Sequence, residues 1–186
     1  FFMGTHVDDI LAIGKEERIH ELKDYMEKQG LTTKLEPLED YLGCKITFSK
    51  CGRKAWIGQP QIMKKIEEKF GDWVKDHRDI KTPGTQHKGV LRPKEGDKVI
   101  SEEQQAWYRS GVGLLLYLLK KSRPELSNSV RELSKVMDKA TEEACLEMKR
   151  VIKFILNTKE TGLKIEPKVS KDWDMDKIEW ILEIYS

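Results

Sequence analysis

The hydrophobic period changes along this chain, and that change restricts the fold more than any other feature. Up to residue 58 the apolar residues mostly come in short, strand-like runs. FFMGTHV and ILAI flank Asp8-Asp9, and further on Leu42, Cys44, Ile46 and Phe48 alternate with Tyr41, Gly43, Lys45, Thr47 and Ser49. A two-residue period puts every second side chain on one face, as a half-buried strand requires. From Pro60 onward the apolar spacing becomes three and four, the period of helices packed on one side. Strands gathered before helices, without regular alternation, indicate an α+β fold.

Within the first part the order is hairpin, helix, hairpin. Asp8-Asp9 interrupts two apolar runs and reads as the tip of a tight hairpin. Such a tip can offer carboxylate oxygens to a metal; it can equally be a polar turn, because Asp hydrogen-bonds its own local backbone. KEERIHELKDYMEKQG then places Ile19, Leu22 and Met26 on one helical face and ends at Gly30. KCGRK supplies a turn, and Ala55-Trp56-Ile57 the returning strand.

Four helical segments follow. PQIMKKIEEKFG carries Ile62, Ile66 and Phe70 on one face, with Lys64, Lys65 and Lys69 away from it. Residues 77–100, rich in Gly, Pro, Lys and His, read as a long loop. Ser101 and Gln104 have capping-box spacing and open a helix whose apolar face is Trp107, Val112, Leu115, Leu116 and Leu119. SRPEL starts the next helix, with Pro124 near its first position and a stripe of Leu126, Val130, Leu133 and Met137. Thr141 caps a last helix, with Cys145, Met148, Ile152 and Ile155, that stops near Gly162. GLKIEP and KIEWILEIYS read as two closing strands with a polar turn between them.

Composition excludes several classes. A net charge of +2, from 34 basic and 32 acidic residues among 186, identifies no polyanionic partner by itself. Residues 61–100 are mildly basic, a bias that suits a phosphate backbone or simply a solvated helix face. Cys44, Cys51 and Cys145 form no C-x-x-C, and their odd number argues for a reducing, intracellular setting over a disulfide framework. His6, His20, His77 and His87 lack zinc-ligand spacing. No apolar run is long enough for a membrane span, so no membrane partner is expected. Because the chain starts and ends in strand-like runs, it reads as a piece of a longer polypeptide.

HVDDIL, YLG, GQPQIMKKIEEKFG, TPG, YRSGVGLLLYLLKKSRPEL and KRVIKFILNTKETGL occur in this order along nearly the whole chain. Together they resemble the reverse transcriptase of copia-type retrotransposons. The resemblance implies a partial polymerase palm of two β-hairpins and a helix in residues 1–58, and a thumb-like helix and linker in 59–100. It further implies a helical thumb or connection in 101–161 and the truncated start of a ribonuclease H-like domain in 162–186, seen as a terminal β-hairpin. By the same resemblance Asp8 and Asp9 match the acidic pair of a Tyr-Val-Asp-Asp tip that holds catalytic Mg2+, with Mn2+ as substitute. The resemblance implies that Asp8 is the direct ligand and Asp9 its helper. Two divalent cations suit nucleotidyl transfer because they stabilise both the attacking and the leaving oxygen, and hard Mg2+ selects oxygen ligands.

Other positions carry over one by one. His6 stands where the family has Tyr, beside the primer end; that departure leaves activity and fidelity open, as does the alternative that His6 only packs beside the strand. Tyr41, Leu42 and Gly43 look like the start of the primer grip, with Leu42 equally readable as core. Lys64 and Lys65 resemble thumb residues that meet phosphates, or are simply solvated. Arg123-Pro124-Glu125 replaces the usual Arg-Pro-Asp, and its expected role is structural. The implied partners are an RNA or DNA primer-template, a deoxynucleotide and the rest of a polyprotein, including fingers and ribonuclease H. The implied location is the cytoplasm, within a virus-like particle. The family's other palm aspartate and its fingers precede the hairpin, so the chain as given is expected not to polymerise alone. A rival reading is a non-catalytic nucleic-acid-binding remnant of such an element; an unrelated metal-dependent phosphohydrolase leaves the later motifs unexplained.

Overall fold

The first two strands, β1 (Phe2–His6) and β2 (Asp9–Ile13), form an antiparallel pair in which His6 stands opposite Asp9 and Phe2 opposite Ile13. They belong to a computed structural model that describes residues 1–51, 54–85, 89–90 and 92–166. The hairpin is followed by α1 (Glu16–Lys28). This helix is closed by a Schellman arrangement, in which the Leu31 N–H donates to the Met26 carbonyl and the Gly30 N–H to that of Glu27. Ile19, Leu22 and Met26 are only half-buried, and no residue before Cys44 is buried.

A second antiparallel sheet has the order β3 (Asp40–Tyr41), β4 (Cys44–Phe48), β5 (Ala55–Gly58) and β6 (Leu163–Ile165). The alternation predicted from Leu42 to Phe48 is interrupted. Leu42 and Gly43 form the two-residue turn between β3 and β4, with φ of 50° and 75°. Left-handed φ at both central positions matches the right-handed twist of the flanking strands. GLKIEP is a strand, as expected, and it pairs with β5, which adds an edge to this sheet. Gly162 permits the approach, since a Cβ there would lie 2.4 Å from the Ile57 carbonyl oxygen. The other half of that expectation, KIEWILEIYS, and His87 lie outside the described residues.

The core is helical. In α2 (Pro60–Val74) the buried stripe is Met63, Ile66, Phe70 and Val74, and the predicted Ile62 lies at its margin. In α3 (Glu102–Lys121) the buried positions are Gln105, Tyr108, Gly111, Val112, Leu115 and Leu118, whereas Trp107, Leu116 and Leu119 flank the core. The stripe is displaced from the predicted one because α2, α4 and α5 all pack against α3 and set which of its many apolar residues are covered. Its start is as expected. The Ser101 hydroxyl accepts from the Gln104 N–H at 3.3 Å, and the Ser101 N–H donates to Gln104 Oε1 at 3.1 Å. Phe70, Trp73 and Trp107 pack edge to face, with centroids 4.8 Å and 4.5 Å apart for the two pairs involving Trp107.

Arg123-Pro124-Glu125 opens a short 3-10 turn (Pro124–Leu126) before α4 (Ser127–Ser134), so Met137 lies beyond the helix it was expected to stripe. Thr141 caps α5 (Glu142–Asn157) through the Ala144 N–H. Arg123 is almost wholly buried. Its guanidinium donates to Glu125 Oε1, to the Thr158 carbonyl at 3.1 Å and to the Thr158 hydroxyl at 2.7 Å, and it faces the Phe154 ring. The structural role expected of this tripeptide is thereby specific: it ties the start of α4 to the end of α5. The architecture is α+β, with five helices and two small antiparallel sheets among the described residues. None of these helices is long and apolar enough to cross a membrane.

Candidate functional site

Period-2 patterning in Phe2–His6 and Asp9–Ile13 leaves two residues for the connection, so the chain reverses at Val7-Asp8. Val7 has φ of 52°. A β-branched residue in that region is rare and costs on the order of 1–3 kcal/mol, a pattern that concentrates at functional sites. Asp8 lies in the turn and Asp9 begins β2; both are exposed. Asp9 and His6, directly paired, share one face of the ribbon. Neither carboxylate forms a hydrogen bond or ion pair with another described residue. Two acids at such a tip can supply oxygens to a hard divalent ion, which commonly takes one or two protein carboxylates and completes its shell with water and phosphate oxygens. Among the described residues no third His, Cys, Asp or Glu joins them in a metal-binding group.

Tyr41, Leu42 and Gly43 come together at the β3–β4 turn. Leu42 is the other non-glycine residue with left-handed φ among the described residues. Its carbonyl accepts from the Tyr117 hydroxyl and from Lys121 Nζ, both at 3.2 Å. A Cβ on Gly43 would approach the Tyr117 oxygen to 3.2 Å. The turn is thus fastened to α3 at the point where its backbone is least relaxed. Cys44 beside it is buried, and burial pushes its thiol pKa up while the Lys121 charge draws it back. The sequence reading did not weigh Tyr117 or Lys121, although a tyrosine inside a leucine run was a visible signal.

Lys64 and Lys65 are exposed on α2, and Lys64 lies 3.7 Å from Glu68. Lys69 is exposed, outside the buried stripe as expected, and donates to Ser110 on α3 at 2.6 Å. No hydrogen bond or ion pair among described residues joins the Asp8-Asp9 tip to the Tyr41–Gly43 turn or to α2. The structure therefore presents these elements separately, as an acidic tip, an anchored turn and two exposed lysines on α2.

This set of elements, an exposed acidic hairpin tip and a second hairpin fixed to a helical core, belongs to an α+β protein. The chain is similar to the retrovirus-related Pol polyprotein from transposon TNT 1-94 of Nicotiana tabacum, with 26% identity over 156 residues. The match covers 82% of this chain and 12% of the relative. That similarity supports a retrotransposon-derived Pol fragment. No protein-family model matches the chain, and no solved structure does.

Proposed function

We propose that the chain is part of the reverse transcriptase of a copia-type retrotransposon, with Asp8 and Asp9 contributing to the metal site of nucleotidyl transfer. The observation that carries this reading is the placement of Asp8 in the exposed two-residue turn of an antiparallel hairpin, with Asp9 at the start of its second strand. The donor chemistry fits Mg2+, or Mn2+ in its place, because both side chains offer only hard oxygens and keep positions open for substrate phosphates. Bound there, the ion would offset negative charge gathering on the reacting phosphate and the attacking 3'-hydroxyl. The protein residues hold geometry. Asp8 takes the direct ligand position, Asp9 the supporting one, and His6 lies on the Asp9 face where a primer end would pass. The Tyr41–Gly43 turn, fixed by Tyr117 and Lys121, provides a stiff edge for positioning the primer, and fixed approach within attacking distance is a large part of such catalysis. Lys64 and Lys65 supply sequence-independent phosphate contacts. Further ligands and the nucleotide grip would come from other parts of the parent polyprotein.

The test is primer extension by the intact parent on an RNA template with Mg2+. Asp8→Asn is expected to abolish extension while primer-template binding is largely retained. Undiminished extension by that variant overturns the assignment of Asp8.

A further inference from the structure

The loop between α2 and α3 is held at both ends. Ile80 and Val90 are buried in the helical core. Between them residues 81–84 form a bend, and Gly84 lies so close to α4 that a Cβ there would come within 2.9 Å of the Ser129 hydroxyl. Thr85 donates to both carboxylate oxygens of Glu147 on α5 at 3.0 Å. Thr82, inside the bend, is exposed. Its hydroxyl donates to the Gly84 carbonyl at 3.2 Å and accepts from Nη2 of Arg150 on α5 at 3.2 Å.

Two independent features single out this threonine. Of the six prolines, at positions 37, 60, 83, 93, 124 and 167, only Pro83 follows a hydroxyl residue. A hydroxyl residue followed by proline is the dipeptide that proline-directed protein kinases accept, and an exposed loop without helix or strand is the kind of backbone an enzyme cleft can take up. The second feature is the arginine. Arg150 is half-buried, yet it forms no ion pair among the described residues. Its one side-chain hydrogen bond goes to the neutral Thr82 hydroxyl. A partly desolvated cation is costly without an anion beside it. The acids three residues away from each partner are occupied: Glu147 by Thr85, and Asp79 by Asn157 at 3.1 Å and Lys153 at 3.9 Å.

We propose that Thr82 is a phosphorylation site for a proline-directed serine/threonine kinase, and that Arg150 receives the phosphate. Thr82 Oγ1 attacks the γ-phosphorus of ATP; the new O–P bond forms as the bond to ADP breaks, and the hydroxyl proton passes to a base of the kinase. The product gives up the hydroxyl's bond to Gly84. In return the guanidinium, already within hydrogen-bond reach of Oγ1, faces a group with close to two negative charges, and such charge-assisted bonds are roughly twice as strong as neutral ones. The modification thereby ties the α2–α3 loop to α5. It requires neither Asp8 nor polymerase activity, so either assignment can fail alone.

The test treats the 186-residue chain with MgATP and a proline-directed kinase of proven activity on a Thr-Pro peptide. Mass spectrometry is expected to place phosphate on Thr82 of the unsubstituted chain and none there in Pro83→Ala. The phosphorylated chain is expected to melt about 2–4 °C higher than the unmodified one. Arg150→Gln, compared with its own unmodified form, is expected to take up phosphate equally but to lose most of that gain; Lys45→Gln on β4, an equal charge change elsewhere, keeps it. Phosphorus NMR needs no variant: the second ionisation of the phosphate, at about pH 6 when free, is expected to fall below that of a phosphorylated peptide of residues 77–85. A chain without phosphate on Thr82, phosphate retained there in Pro83→Ala, a gain indifferent to Arg150→Gln, or an ionisation equal to the peptide's overturns the proposal.

Discussion

Residues 1–38 and residues 60–157 carry comparable apolar patterns and use them in opposite ways. In α2 to α5 the stripes meet one another, and Phe70, Tyr108, Val112, Leu115, Met148, Ile152 and Ile155 are removed from water. In the first segment nothing is. Phe2 and Ile13 stand out on one face of the β1–β2 ribbon at 59% and 55% exposure, and Met3 and Ile10 on the other at 46% and 40%. Local pattern is enough to specify strands and a helix, but an isolated hairpin or a 13-residue helix is marginal in water until a partner covers its apolar side. The acidic tip is therefore mounted on a segment with no buried residue, and the Tyr41–Gly43 turn on one fastened to α3.

The sharpest way to break this contrast is paired truncation. Phe70→Ala, in the ring cluster between α2 and α3, is expected to cost about 3–5 kcal/mol in urea denaturation. Ile10→Ala is expected to change the same transition by less than ~0.5 kcal/mol, because it removes surface contact only. Equal losses would erase the distinction between the two regions. Arg123→Ala is expected to cost about 3 kcal/mol, since it strips the Thr158 carbonyl and hydroxyl and Glu125 of a common charged donor. A loss below ~1 kcal/mol would mean that α4 and α5 are held by their apolar contacts alone. Ser101→Ala removes the α3 cap and is expected to cost about 1 kcal/mol by the same measurement.

The smallest effect concerns pH. Hydrogen bonds from Lys164, and then Lys54, hold the Glu166 carboxyl at about 2, below its usual 4.5. A depressed carboxyl stabilises the fold fully above its unfolded pKa and loses that contribution as pH falls through the folded one. Amide protection at the β5–β6 edge is thus expected to be flat above pH 4.5 and to fall towards pH 2. Glu166→Gln should remove most of that slope; an unchanged slope would assign it to other carboxyls.

Much of this was legible in the sequence because it rests on local rules. The Ser101 capping box, the Thr141 cap, the Gly30 stop and a tight hairpin at HVDDIL each need only a few neighbouring residues, although the turn falls on Val7-Asp8, one residue before the expected Asp8-Asp9 tip. The buried stripes were harder. Ile62, Trp107 and Met137 have helical spacing, yet which residue of a broad apolar face is covered depends on the helices beside it. The pairing of β6 with β5 was not legible, since the two strands are about a hundred residues apart and nothing short-range favours β5 over a later strand. Among candidate site residues, HVDDIL and YLG were visible as patterns. Tyr117 and Lys121 acquire their roles only when distant elements meet.

Native-state hydrogen exchange followed residue by residue tests the contrast most directly. The account predicts that amides of α2, α3 and α5 exchange only through global unfolding, while those of β1, β2 and α1 exchange through local opening at much lower free energy. Protection of the Asp8-Asp9 hairpin equal to that of α3 would show it to be part of the same cooperative core, and would contradict the account.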